Sequence, residues 1–343
     1  MTAVVLTARG PFSLTAALRF LKTFTPACYT GGRRDGVLRL AFPSDDGRFT
    51  VTAAVRQERT AADDGAERAG ITRLPEEGAV HADGGTVQAD VTLHPAALES
   101  IAPSPGEEPW AAATAAVARA LSLDVDGSRF PALASADPVA AGLLAEFPGL
   151  RPVCFDSPYE AAAWAIIGHR VRMSHAAAVR TLLAQRYGHR VEVAGQELSA
   201  FPAPQVLRTV TSFPGLDEVK LRRLHAVADA AAAGELDAAG LRALPAEDAL
   251  AALRELPGIG PFSAELVLVR GAGHPDLLPR HEPRLHAAMT DAYGLADGSP
   301  GVFALARLAE RWRPYRSWTA LLLRAHADPR VTRAPGPYRR SSR

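Results

Sequence analysis

Leu256-Pro257-Gly258-Ile259-Gly260-Pro261 constrains this chain more than any other stretch. Before it, Leu250 and Leu253 recur at helical spacing within Glu247 to Arg254. After it, Pro261 suits a first helical position, and Ala264, Leu266, Val267 and Leu268 supply a new apolar face. The connection is too short and too rich in glycine for an ordinary loop. Gly258 and Gly260 let backbone approach another molecule with no Cβ in the way. Unpaired amides at the start of the second helix point outward, a geometry suited to a phosphate. The pattern predicts a helix-hairpin-helix over 247–271, a grip on nucleic-acid backbone that reads no sequence. The bland alternative is an αα-corner that happens to hold two glycines.

The rest of the composition sets broad limits. A chain of 343 residues, 48% hydrophobic and 22% charged, can form two or three cores. No apolar run approaches the ~20 residues of a membrane span. Val4-Val5-Leu6 is short and the next apolar run is broken by Arg19 and Lys22, so a secretory leader is not expected. Cys28 and Cys154 lie far apart with no metal spacing, which suits reduced core thiols in a cytoplasmic protein. Net charge is only +1 but unevenly spread: residues 1–150 hold 13 basic and 18 acidic side chains, residues 151–343 hold 25 and 19. The segment from Arg311 carries nine arginines against the single acid Asp328. Such asymmetry fits nucleic-acid contact on one side, though a solvated arginine-rich surface would look the same.

Periodicity divides the chain. Residues 1–95 read as a mixed antiparallel α/β unit: a helix over Pro11–Leu21, strands over Val37–Phe42 and Phe49–Val55 around an Asp45-Asp46-Gly47 turn, and a strand over Thr86–Leu93. Thr60 to Gly85 reads as a loose acidic excursion. From Trp110 onward strands nearly vanish. Helices are expected over 111–121, 138–146, 158–169, 174–187, 203–210, 219–233, 283–293, 302–312 and 317–327. Ser157-Pro158-Tyr159-Glu160 is a capping box with proline at the first helical position. The expected fold class is therefore α+β, with a helical core of two subdomains over 96–330 and a disordered basic tail over 331–343.

Twenty residues beyond Phe262 stands Glu282, before Pro283 and thus at the N-terminal boundary of the next helix. The hairpin, the loop through Leu278-Pro279, this acid, and Glu310-Arg311-Trp312-Arg313-Pro314-Tyr315-Arg316-Ser317-Trp318 together resemble the bacterial 3-methyladenine DNA glycosylase II family. That family belongs to the helix-hairpin-helix DNA glycosylases. The similarity extends back through Phe147-Pro148-Gly149-Leu150, 156–175 and 212–233, and more weakly to the N-terminal unit.

The resemblance implies base-excision repair: a damaged nucleotide of duplex DNA is flipped into a pocket and its N-glycosidic bond is hydrolysed. It implies Glu282 as the catalytic acid that stabilises the oxocarbenium-like sugar, with Gly258, Ile259 and Gly260 on DNA backbone. Phe262, Leu266 and Arg324 fall where the family lines its pocket with aromatic rings, and His169-Arg170 where it inserts a wedge residue. These are departures, as is glutamate in place of the usual aspartate. Fewer π faces weaken the grip on cationic alkylated purines. Position alone would make Glu282 a dipole-serving acid worth ~0.3–1 kcal/mol.

Lys22 and Lys220 are the only lysines. Bifunctional relatives carry a Schiff-base lysine where Phe262 stands, so monofunctional hydrolysis is expected. His169, His281 and His286 form no convincing metal set, and neither a catalytic metal nor a cofactor is expected. A monovalent cation on hairpin carbonyls is common in the family. Trp164, Trp312 and Trp318 read as core. A monomer acting on damaged double-stranded DNA in the cytoplasm, at the nucleoid, is the primary expectation. A catalytically altered lesion sensor of the same fold is the alternative.

Overall fold

The computed structural model describes residues 2–23, 35–57, 85–95, 109–295 and 301–332. Cys28, most of the acidic excursion and the tail beyond Thr332 lie outside the described residues. Four strands form one antiparallel sheet in the order β1-β4-β3-β2: β1 (Thr2–Thr7), β2 (Leu38–Pro43), β3 (Phe49–Gln57) and β4 (Thr86–Pro95). Val4 faces Ala89, Ala53 faces Val91, and Leu40 faces Ala53 across the three ladders. Three of these strands carry a plain sequence signal. The edge strand β1 does not, because Leu6 is its only buried side chain and no alternation develops.

Helix α1 (Leu14–Thr23) buries Leu14, Ala17, Phe20 and Leu21. After it come α2 (Pro109–Ala120), α3 (Pro138–Glu146), α4 (Pro158–Ile167), α5 (Met173–Tyr187), α6 (Glu218–Ala232), α7 (Ala246–Arg254) and α8 (Pro261–Leu266). The set ends with α9 (Pro283–Ala292), α10 (Val302–Ala309) and α11 (Arg316–His326). The helix expected at 203–210 shrinks to one turn, Pro204–Leu207. Between α5 and that turn the helical reading also needs correction. Arg190–Val193 (β5) and Gln196–Ser199 (β6) form a second hairpin through Ala194 and Gly195, both at positive φ. Its Ala-Gly turn lacks the usual Asn-Gly signal, and only Val191 and Val193 are buried, packing on Val37 and Ala54 of the main sheet.

Two hydrophobic cores organise these elements. One gathers the sheet, α1–α3 and α9–α11; the other gathers α4–α8. The first core does not stop at residue 95, since Phe12, Leu38 and Val91 share it with Val117, Leu285 and Trp318. The chain thus leaves the first body near Phe155 and returns to it near Leu278. Trp312 and Trp318 are wholly buried in the first core, Trp164 in the second, as expected.

Polar groups fix how the first body closes. Ser157 caps α4 through the Glu160 amide at 3.1 Å. The reciprocal half of the capping box is missing, because the Glu160 carboxylate is buried and pairs with Arg180 at 2.6 Å. Asp137 caps α3 and also accepts from the Tyr293 hydroxyl (2.6 Å) and the Trp312 indole (3.3 Å), tying α3 to α9 and the turn before α11. Arg151 is 1% exposed, and its guanidinium donates to the carbonyls of Arg9, Gly10, Pro11, Ser122 and Val125 at 2.5–3.2 Å. It also lies over the Trp318 ring at 5.1 Å. Desolvation lowers its pKa to about 10, and carbonyl dipoles take the place of a carboxylate partner.

Arg151→Met keeps the side-chain length and deletes every donor. Each orphaned buried carbonyl costs ~1–3 kcal/mol, so the variant should lose at least about 3 kcal/mol in urea unfolding followed by tryptophan fluorescence. An unchanged midpoint would show that water replaces the guanidinium at no cost.

Candidate functional site

The helix-hairpin-helix forms where the sequence places it. Helix α7 ends at Arg254, the turn runs through Leu256–Gly260, and α8 starts on Pro261 with Gly260 as its extended N-cap. The helix then continues as a π-turn over Val267–Gly271. Ile259 is 4% exposed and plugs the turn into the second core, while its amide donates to the Leu256 carbonyl at 3.0 Å. The residue is an anchor, with both side chain and N–H already engaged.

The two glycines differ in a way the sequence does not reveal. Gly258 has φ 91°, and a Cβ built there would lie 2.5 Å from Cδ of Arg223 on α6. The space above Gly258 belongs to an arginine of the same chain. Gly260 has φ −88° and ψ −178°, and a Cβ there would meet nothing within 4 Å. Gly260 and the first turn of α8 therefore form the open face of the hairpin.

The His169-Arg170 turn lies close by. It follows α4, and Arg170 is exposed with φ 55°, an uncommon conformation for a residue with a Cβ. Lys220 of α6 is buried and donates from Nζ to the Ile167 carbonyl at 2.9 Å, closing the end of α4 from which the turn springs. Burial, and then the charges of Arg223, Lys220 and Arg170, hold the His169 imidazole below its ordinary pKa. Helix α6 thus brings the hairpin and this turn into one positively charged edge, with Arg223 as the link. Arg223 and Lys220 escaped the sequence reading because nothing in α6 itself marks them.

Glu282 stands at the N-cap of α9 and accepts from the Arg284 amide at 3.2 Å. It is half-buried, in the crossing that returns the chain to the first body. A buried carboxylate of α8 sets that crossing. Glu265 is 4% exposed; Oε1 accepts from the Arg280 amide (2.9 Å) and the His281 ring (2.8 Å), and Oε2 accepts from the His281 amide (2.9 Å). One side chain of the second body therefore pins the two residues before Glu282. The only sequence signal for it was an acid within the apolar run Ala264–Val269.

Phe262, Glu265 and Leu266 share a face of α8 by their i, i+3, i+4 spacing. Phe262 is 45% exposed and Leu266 half-buried, so this face flanks the pinned loop. Arg324 sits elsewhere. With Arg284, Ala287 and Ala288 of α9 it lines a groove of about 460 Å³ between α9 and α11, to which α8 contributes nothing. Asp276 is engaged by Arg313 and Arg316, both at 2.8 Å, and is unavailable as an alternative acid. A second cavity of about 360 Å³, beside β2, β6 and α5, is lined by Glu160 and Arg180 and by none of these residues. Among the described residues no group of three His, Cys, Asp or Glu is arranged to hold a metal ion, and no helix is long and apolar enough to cross a membrane.

Comparison with known proteins gives a consistent likeness. The chain is 31% identical over 183 residues to DNA-3-methyladenine glycosylase 2 of Escherichia coli (strain K12), covering 51% of this chain and 59% of that protein. It is 27% identical over 162 residues to the DNA-3-methyladenine glycosylase of Bacillus subtilis (strain 168), covering 46% and 53%. The aligned region thus spans between half and three-fifths of these relatives. The structure of a 3-methyladenine DNA-glycosylase from Archaeoglobus fulgidus superposes with a TM-score of 0.67 at 19% identity, over 95% of this chain and 98% of that one, a likeness of fold. No family model matches.

The glycines separate the hairpin's internal support from its open face. Gly258→Ala forces a left-handed alanine and displaces Arg223, and should cost ~1–2 kcal/mol in thermal unfolding. Gly260→Ala meets neither obstacle and should stay within ~0.5 kcal/mol of wild type. Equal effects would contradict the assignment of the space above Gly258 to Arg223.

Proposed function

We propose that this chain, a homologue of the DNA-3-methyladenine glycosylases in sequence and fold, is a monofunctional DNA glycosylase that hydrolyses the N-glycosyl bond of a damaged purine flipped out of duplex DNA. The observation that carries the reading is Glu282, an acid at a helix N-cap whose preceding loop donates three hydrogen bonds to buried Glu265. A carboxylate positioned that firmly serves a reaction in which positive charge develops at a sugar.

In this reading duplex DNA meets the edge formed by Gly260, the first turn of α8 and the His169-Arg170 turn. Backbone amides and Arg223 take phosphates, and exposed Arg170 enters the gap left by the flipped nucleotide, where its planar guanidinium stacks on bases. Phe262 supplies the one aromatic face beside the flipped base, with Leu266 behind it. As the glycosidic bond lengthens, the Glu282 carboxylate stabilises the oxocarbenium-like sugar and orients the attacking water. The proton given up by that water passes through solvent to the departing nitrogen of an uncharged base, or stays with solvent when the base was cationic, and the products are free base and an intact abasic site. A monovalent cation at the hairpin would be held by carbonyls of this turn. Those of Gly258 and Ile259 fit, since among the described residues they accept no hydrogen bond. We read the protein as a monomer acting on the nucleoid in the cytoplasm.

Lysine chemistry finds no place. Phe262 holds the position a Schiff-base amine would need, and Lys220 is buried on a helix-end carbonyl. Borohydride added during reaction with damaged duplex should therefore trap no covalent protein–DNA adduct, as read by gel shift after denaturation. A trapped adduct would overturn the monofunctional reading.

Glu282→Gln keeps size and the helix cap while deleting charge. Single-turnover excision from duplexes carrying methylated, deaminated or oxidised purines should fall ~100- to 1,000-fold, with duplex affinity nearly constant. Wild-type protein that binds damaged duplex tightly yet releases no base would favour the lesion-sensor alternative. Unchanged excision in the variant would mean that another group does the chemistry.

A further inference from the structure

We propose that Glu265 and His281 form a carboxylate–imidazole dyad in which Nε2 of His281 protonates an uncharged purine as its glycosyl bond breaks. The inference rests on the glycosylase reading and adds a second catalytic residue to its site. His281 immediately precedes Glu282, and its ring nitrogen Nδ1 meets Oε1 of Glu265 at 2.8 Å. The same oxygen accepts from the Arg280 amide, and Oε2 accepts from the His281 amide, both at 2.9 Å. Backbone and ring of His281 are thus held by one buried side chain.

A carboxylate only accepts hydrogen bonds, so Nδ1 carries the hydrogen and Nε2 is the nitrogen that gains and loses a proton. Among the described residues Nε2 has no hydrogen-bond partner, and the His281 side chain is 53% exposed. Two amides would suffice to pin the loop. The ring bond adds an oriented, open imidazole that pinning does not require. Glu265 lies one turn along α8 from Phe262, which places the dyad on the face that flanks the flipped base in the glycosylase reading. A base oriented through one nitrogen by a third group, with its other nitrogen open, is the arrangement that general acid–base chemistry uses. The other titratable and charged side chains on the surrounding elements are Arg280 and Glu282 of the same loop, Arg284 and His286 of α9, and Glu247 of α7, which pairs with Arg280 at 3.8 Å.

Purines differ in what they need on departure. One made cationic by alkylation at N7 or N3 leaves as a neutral base. An uncharged one leaves as an anion unless a ring nitrogen is protonated. In the step assigned to the dyad, the C1′–N9 bond breaks with its electron pair moving to the base. The Nε2 proton of the His281 imidazolium passes to a ring nitrogen of that base. Water beside Glu282 forms the new C1′–O bond, and the proton it releases returns to Nε2. The proton otherwise carried by solvent thereby moves through one fixed imidazole, while Glu265 keeps its charge and stabilises the imidazolium. Such assistance is present while Nε2 is protonated and is lost as pH rises through the imidazole range, roughly pH 5–8.

The test uses the full chain in single-turnover release from two duplexes, one carrying uncharged hypoxanthine and one carrying cationic 7-methylguanine. His281→Asn keeps an amide donor near Nδ1 for Glu265 and deletes the second nitrogen. Hypoxanthine release should fall ~100- to 10,000-fold, and 7-methylguanine release at least ~10-fold less than that. In wild type the ratio of hypoxanthine to 7-methylguanine release should fall as pH rises through the imidazole range, and the variant should lose that dependence. The wild-type profile reads the dyad whether or not the variant folds. Equal slowing of both lesions would make His281 a prop for Glu282. That result, an unchanged hypoxanthine rate, a pH-independent ratio in wild type, or release of 7-methylguanine with none of hypoxanthine would each overturn the dyad and leave the glycosylase reading intact. Release of neither base overturns the glycosylase reading, and the dyad with it.

Discussion

The buried guanidinium of Arg151 is the contact on which the first body depends. It satisfies carbonyls from residues 9–11 and from the segment after α2 at once, so the N-terminal strand and the helical body cannot part without orphaning both. A carboxylate would have been the simpler partner for a buried charge. Backbone carbonyls do the same work here because several converge on one planar fork, and the Trp318 ring closes the remaining side. Helix α11 is thereby seated against the sheet side of the molecule, and with it the groove that α11 shares with α9.

The candidate site lies at the seam of two cores. Helix α8 belongs to one and α9 to the other, and the chain crosses between them over 277–282. A crossing exposed on both sides would be loose. Glu265 removes that freedom by accepting two backbone amides and one imidazole, a concentration of bonds that costs the burial of a charge and gains a fixed approach to Glu282. Substrate entering between the bodies would meet an acid whose backbone is already placed, which is the condition for electrostatic stabilisation without reorganisation.

Charge is arranged in two distinct ways. Around the hairpin, burial and then the charges of Arg223, Lys220 and Arg170 lower the proton affinity of His169, a cluster that suits a polyanion able to neutralise many charges together. In the α9–α11 groove Arg284, Arg324 and Arg330 stand among the carboxylates of Asp291 and Asp328, so both signs line it. Arg324, a departure from the family pattern in the sequence, thus lies in a groove that the other pocket positions do not line.

Much of this was local and therefore legible in the residues themselves. The hairpin, the helix starts at Ser157 and Glu282, three strands of the main sheet and most helices follow from periodicity, proline, glycine and capping side chains acting within a few residues. The absence of an amine at Phe262 and the acid twenty residues on are properties of the chain alone. The edge strand β1 and the β5–β6 hairpin were missed because burial of only one or two side chains leaves no period to detect. The partners of the functional groups were decided by tertiary structure. Glu265 bonds a loop 15–16 residues away, Lys220 a carbonyl 53 residues away, and Arg223 fills the space above Gly258 from another helix. Such contacts depend on how two independently formed cores dock. A sequence specifies which faces are apolar, while the choice of polar side chain that spans the seam emerges only when those faces have met.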